Sequence, residues 1–197
     1  MSDRITKSNV DVYVRSTYGE YQNKIYDRIY GIYGLLQNDF EGDMDCTLTS
    51  ITEITSFYTK ENIPEKTIYD NVKLIAKKYG YTDNIGTFSI TINKIVNKVN
   101  QLYNINRKSR CAYFKGVGYS IKTIMKNIAE KTPVILNMMN DGRDFYKNHT
   151  VTIIGVTDYV VNNKHIYMIE IHDNWTTQSS FIDYQKLCLI SSINYCK

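Results

Sequence analysis

The chain has 197 residues, enough for one substantial core, and no Pro/Gly/Ser tract divides it. Its 24 basic and 20 acidic residues leave a formal charge of +4, with lysines scattered among acids and asparagines. That pattern excludes the clustered basic face by which a protein holds nucleic acid or an anionic membrane. Four cysteines (46, 111, 188 and 196) lack metal-ligand spacing and form no dense disulfide framework, so no metal or other cofactor is expected.

No apolar h-region follows Met1 and no run reaches transmembrane length, so the chain is expected to carry no address of its own. A cytoplasmic protein and an excised secreted domain would both look like this. The first 33 residues are polar and tyrosine-rich. Val10 to Val14 alternates as a short strand would, whereas Tyr21, Ile25 and Ile29 share a helical face. The reading is an N-terminal arm (1–33) packed over the domain, its tyrosines filling core rather than stacking on sugars or peptides.

From Cys46 to Tyr58 the apolar residues Leu48, Ile51, Ile54, Phe57 and Tyr58 recur at helical spacing, and the Gly42–Asp45 run before them supplies turn and cap chemistry. Cys46 therefore opens a helix, where the dipole and unpaired backbone N–H groups favour a thiolate. A second helix begins at Pro64, with Ile68, Val72, Ile75 and Ala76 inward and Gly80 as its stop. A third runs from about Ser89 to Tyr103 on Ile92, Ile95, Val96, Val99 and Leu102.

The chain then changes character. Cys111–Lys115 reads as a strand, Ser120–Glu130 as a helix capped by Ser120, and Pro133–Met139 as a strand. The polar loop Asn140–Asn148, with Gly142 as hinge, leads into His149, which opens the β-branched run Thr150–Val156. A turn at Val161–Lys164 and a returning strand, His165–Ile171, make a hairpin ending in His172-Asp173-Asn174-Trp175. Antiparallel pairing returns Asp173 to the level of His149, where a carboxylate can accept an imidazole N–H and fix the tautomer. Phe181–Ile190 and Ser191–Tyr195 supply closing strands, between which Cys188 and Cys196 could pair. If Cys46 is a nucleophile, the odd remainder of three cysteines favours free thiols.

Asp45-Cys46 opening a helix, Asn148-His149 before Val151–Gly155, and Ile171-His172-Asp173-Asn174-Trp175 resemble, in that order, a papain-like cysteine peptidase. The closest likeness is to the bacterial branch that includes peptidases removing double-glycine leaders from bacteriocins. The abundance of Lys, Asn, Ile and Tyr fits AT-rich bacterial coding. The resemblance covers about Leu35 to Trp175 and lacks the Cys-Gly-Ser/Ala-Cys-Trp/Tyr signature of papain and the cathepsins.

The resemblance implies an α+β papain-like fold in one domain, with a helical half (34–105) carrying the nucleophile and a β-sheet half (106–197). It further implies a Cys46–His149–Asp173 triad, with Trp175 shielding the His149–Asp173 hydrogen bond. It also implies a glutamine upstream of the nucleophile whose amide completes an oxyanion hole, and Gln37, nine residues before Cys46, is the match. The intervening Phe40–Asp43 would then form a longer loop than in the tightest members. Asn38 is the fallback donor, and Gln22 and Gln101 are poorly placed. The expected activity is thiol hydrolysis of peptide bonds in a peptide or protein substrate. A cell-wall amidase, an acyl or γ-glutamyl transferase, and an inactive papain-like binding module are the alternatives, since fold and triad do not select among substrates.

Overall fold

A computed structural model describes residues 4–40, 44–59, 62–139, 146 and 148–197. The hairpin that carries His149 organises it. Strand β5 (His149–Val161) turns at Asn162-Asn163, both left-handed with φ of +48° and +59°, into β6 (Lys164–His172). Two successive positive φ angles make the tight hairpin turn that asparagine tolerates.

An eight-stranded sheet grows from this hairpin in the order β1 (Ile5–Thr6), β7 (Ser180–Asp183), β6, β5, β4 (Val134–Met138), β8 (Ser191–Cys196), β3 (Ser109–Tyr113). All pairings are antiparallel. Strand β5 serves two partners on one side, because residues 149–153 pair with β4 and residues 155–160 with β2 (Asn23–Arg28). The β5–β6 register shifts between Ile153 and Gly155. A Cβ on Gly155 would stand 2.9 Å from both Asp27 O and Glu170 Oε2, so the close approach at this bulge requires glycine.

Helices α2 (Cys46–Tyr58), α3 (Glu65–Lys77) and α4 (Ile92–Leu102) pack together, and α2 also lies against β5. Their apolar faces (Leu48, Ile51, Ile68, Val72, Ile95, Val99) join Ile135, Leu136, Val151, Ile153 and Ile193 of the sheet in one core. Helix α5 (Ile121–Ala129) opens with a capping box between Ser120 and Thr123 and covers β2, β4 and β5. The result is an α+β, papain-like fold with its helices and its sheet meeting at α2 and β5.

Helix α2 departs from the amphipathic pattern of its sequence: every residue from Thr47 to Thr55 is buried. The threonines reach this environment by donating to carbonyls one turn back: Thr49 Oγ1 to Asp45 O (3.0 Å), Thr52 to Leu48 O (2.9 Å), Thr55 to Ile51 O (2.7 Å).

The N-terminal expectations reverse. Val10–Val14 lies in a helix, α1 (Val10–Tyr18), because Val10 and Val14, one turn apart, bury together against Tyr159, Val161, Ile166, Met168 and Phe181. Tyr21–Ile29, read as helical, instead holds strand β2, which the paired edge of β5 recruits. The segment thus contributes β1, α1 and β2 to the fold rather than lying over it. The closing strand expected over Phe181–Ile190 stops at Asp183, where Leu187 N–H bonds Asp183 O at 3.0 Å and Lys115 Nζ holds Tyr184 O at 2.9 Å. The four cysteines form no disulfide, and Cys188 Sγ instead meets Ile190 O at 3.2 Å. The expected overhanging loop at 140–148 and the loop at 40–43 fall largely outside the described residues.

Candidate active site

Cys46 is the first residue of α2, so its backbone N–H is among those a helix start leaves without an intrahelical partner. The preceding Asp45 does not cap the helix with its side chain. Its fully buried carboxylate instead accepts from the hydroxyls of Tyr69 and Tyr81, with Lys73 Nζ 3.8 Å away and itself 2.7 Å from Asp83. Burial beside Asp45 pushes both tyrosine hydroxyls well above their ordinary range, so they stay protonated and donate. Three side chains, two on α3 and one just after it, therefore fix the turn from which the thiol projects.

His149 enters at the rim of the sheet, where Asn148 at φ +48° bends the chain into β5. Burial alone would raise the Cys46 thiol. A hydrogen bond and the charge of His149, with hydrogen bonds from the Thr150 backbone and hydroxyl, outweigh it and hold the thiol below its ordinary value. His149 is thus the neighbour that lowers the Cys46 thiol most.

Asp173 also meets His149, but by a different atom than expected. His149 Nε2 lies 2.7 Å from the backbone oxygen of Asp173. A carbonyl oxygen only accepts, so Nε2 carries the hydrogen and Nδ1 is left with a lone pair for the thiol proton. The Asp173 carboxylate, with no exposed surface, is engaged elsewhere: Oδ2 by Arg4 (2.7 Å), Tyr146 Oη (3.1 Å) and Ser180 Oγ (3.0 Å), Oδ1 by the N–H groups of Trp175 (3.1 Å) and Thr176 (3.2 Å). The physical reason is the turn after β6: it folds residues 175 and 176 back over the carboxylate and turns the carbonyl toward His149. Trp175 stacks on the His149 ring at 4.3 Å between centroids, and Tyr146 lies parallel to that ring at 5.9 Å. Trp175 thereby covers the imidazole itself.

Asn174 ties these parts together. It sits at φ +62°, fully buried, and its Nδ2 lies 3.0 Å from each of Cys46 O, Ser50 Oγ and Thr150 O. Its own carbonyl accepts from Gln37 N–H at 2.8 Å. One side chain and its backbone therefore join helix α2, strand β5 and the turn Gln37–Asp39. Gln37 is buried in that turn, whereas Asn38 beside it is exposed. Phe40, stacked 4.2 Å from Tyr69, anchors the near end of the loop leading to Cys46. A second brace joins Thr47 to Thr150, hydroxyl to hydroxyl at 2.8 Å, and Asn137 Nδ2 donates to the same Thr150 oxygen at 2.8 Å. Two turns along α2, Glu53 Oε1 meets His172 Nδ1 at 2.5 Å, pinning the helix to the end of β6.

Sequence reasoning missed Arg4, Tyr146, Thr150 and the role of Asn174. Asn174 alone left a signal, as an asparagine directly after a strand end where a left-handed residue can turn the chain. Among the described residues no cluster of His, Cys, Asp or Glu is arranged to hold a metal, and no helix is long and apolar enough to cross a membrane.

A cysteine at a helix start, with a histidine opening a strand of the facing sheet in a papain-like fold, is the arrangement of a cysteine-peptidase type of protein. The sequence belongs to the Peptidase_C39 like family, whose profile matches residues 15–187. That membership makes it a member of a cysteine peptidase family and so of the hydrolases. No curated protein matches the sequence.

Proposed function

We propose that the protein hydrolyses peptide bonds with Cys46 as nucleophile and His149 as acid and base. The observation that carries this reading is the pairing of a Cys46 thiol held below its ordinary value with a His149 ring whose Nε2–H is fixed on Asp173 O. His149 Nδ1 takes the thiol proton and Cys46 Sγ attacks the scissile carbonyl carbon. The developing oxyanion is met by the Cys46 N–H and the Gln37 amide. On collapse the C–N bond breaks and the Nδ1–H protonates the departing amine. Water, deprotonated by Nδ1, then cleaves the thioester and restores the thiol. Asp173 orients the imidazole through its backbone oxygen.

Resemblance to peptidases that remove double-glycine leaders makes peptides with paired glycines at the cleavage site the first substrates to assay. The test is cleavage of such a peptide set by the wild type and by Cys46→Ala, read by mass spectrometry. Release of new amine termini by the wild type alone supports the reading. Transfer of the acyl group to an added amine in place of hydrolysis would move the assignment to a transferase.

A further inference from the structure

The carboxylate of Asp173 is fully enclosed and has five donors, none of them the imidazole it was expected to serve. Among the described residues the cation in contact with it is Arg4, 2.7 Å away, whose side chain is only 24% exposed. Arg4 is held for this task. Its neighbours Ile5 and Thr6 pair with Phe181 and Ser180 of β7, and its guanidinium also bonds Thr176 Oγ1 and, at 3.2 Å, Gln178 O. The same strand β7 presents Ser180 to the carboxylate.

Resting on the peptidase reading above, we infer that Arg4 is a positioning residue for the Cys46–His149 couple. It neutralises and orients the Asp173 carboxylate, so that a neutral backbone carbonyl orients the imidazole and the couple works beside a balanced charge pair. A bare carboxylate at this place would bias the couple, because a buried negative charge disfavours the thiolate and favours the imidazolium. Among the described residues, the titratable and charged groups facing the couple are Cys46 from α2, Tyr146 ahead of β5, His149 on β5, Asp173 after β6 and Arg4 from the N-terminal strand. The Glu53–His172 pair lies two turns further along α2.

Charge removal has a sign that packing does not. Losing the cation moves both proton equilibria of the couple to higher pH, and losing the anion moves both to lower pH. The measurement is the rate of Cys46 alkylation by iodoacetamide against pH, on the full chain, for wild type, Arg4→Gln, Arg4→Lys and Asp173→Asn. Thermal melting confirms that each is folded. The wild type should show an acid inflection below the ordinary thiol range and a second at higher pH. Arg4→Gln should raise both by about half a unit or more, Asp173→Asn should lower both, and Arg4→Lys should stay near wild type. Should one charge-removing variant not fold, the other decides by the sign of its shift. Inflections that stay in place while only the rate changes would overturn the inference and leave Arg4 a structural contact. A wild type with no acid inflection would overturn the nucleophile assignment itself and this inference with it.

Discussion

Asn174 offers the sharpest test of how the site is held, because its substitutions separate hydrogen bonding from backbone conformation. Its amide hydrogens serve three buried acceptors at 3.0 Å, on α2 and β5, and its backbone stands at φ +62°. Replacing it with alanine removes two N–H donations, at about 1 kcal/mol each, and puts in the left-handed region a residue without asparagine's tolerance for it, at up to about 1 kcal/mol more. Against this, the Asn174 Oδ1 is buried without a hydrogen-bond partner among the described residues, and its removal returns up to about 1 kcal/mol. The expected loss for Asn174→Ala is therefore about 2–3 kcal/mol. Asn174→Gly keeps the left-handed turn and should lose about 1 kcal/mol less. Urea denaturation with linear extrapolation measures both, and equal slopes would show that the same amount of surface is exposed. Both variants should also lose the selective reactivity of Cys46, since the tie between the Cys46 carbonyl and Thr150 is gone. If Asn174→Ala were within about 0.5 kcal/mol of wild type, or if glycine were the worse replacement, the assignment of Asn174 as the joint between helix and strand would be refuted.

Three further outcomes are expected. Iodoacetamide at about pH 6 should label Cys46 before Cys111 and Cys196. The Cys46 thiol is held below its ordinary value, whereas burial raises the other two, so Cys46 is the most readily ionised of the three; peptide mapping reads the order, and His149→Ala should abolish the preference. Gln37→Ala should lower the catalytic rate by ~10²–10³ with little effect on substrate binding, and an unchanged rate would place the side-chain oxyanion donor elsewhere. Gly118→Ala should unfold the 114–119 turn or the whole protein, because a Cβ there would meet Tyr113 O at 2.0 Å; a melting temperature near wild type would refute that.

Periodicity, turn chemistry and motif order determined much of this protein. The helix starting at Cys46, the helices over Glu65–Lys77 and Ile92–Leu102 and the His149 hairpin with its Asn162-Asn163 turn are local patterns, in which side-chain spacing and backbone preference agree. The places of Cys46 at a helix start and His149 at a strand start were legible too, because both ends are marked locally in the sequence. Tertiary structure decided the rest, for reasons that lie outside any local window. Asn23–Arg28 becomes a strand because β5 is long enough to pair with both β4 and β2. The threonine face of α2 is buried because helices and sheet close on it from both sides. The carboxylate of Asp173 turns from His149 because its partner, Arg4, is 169 residues away in sequence and 2.7 Å away in space. A residue type and its place in a motif specify that an acceptor stands beside the imidazole. Which oxygen fills that role depends on the charges that distant strands bring to the same few ångströms.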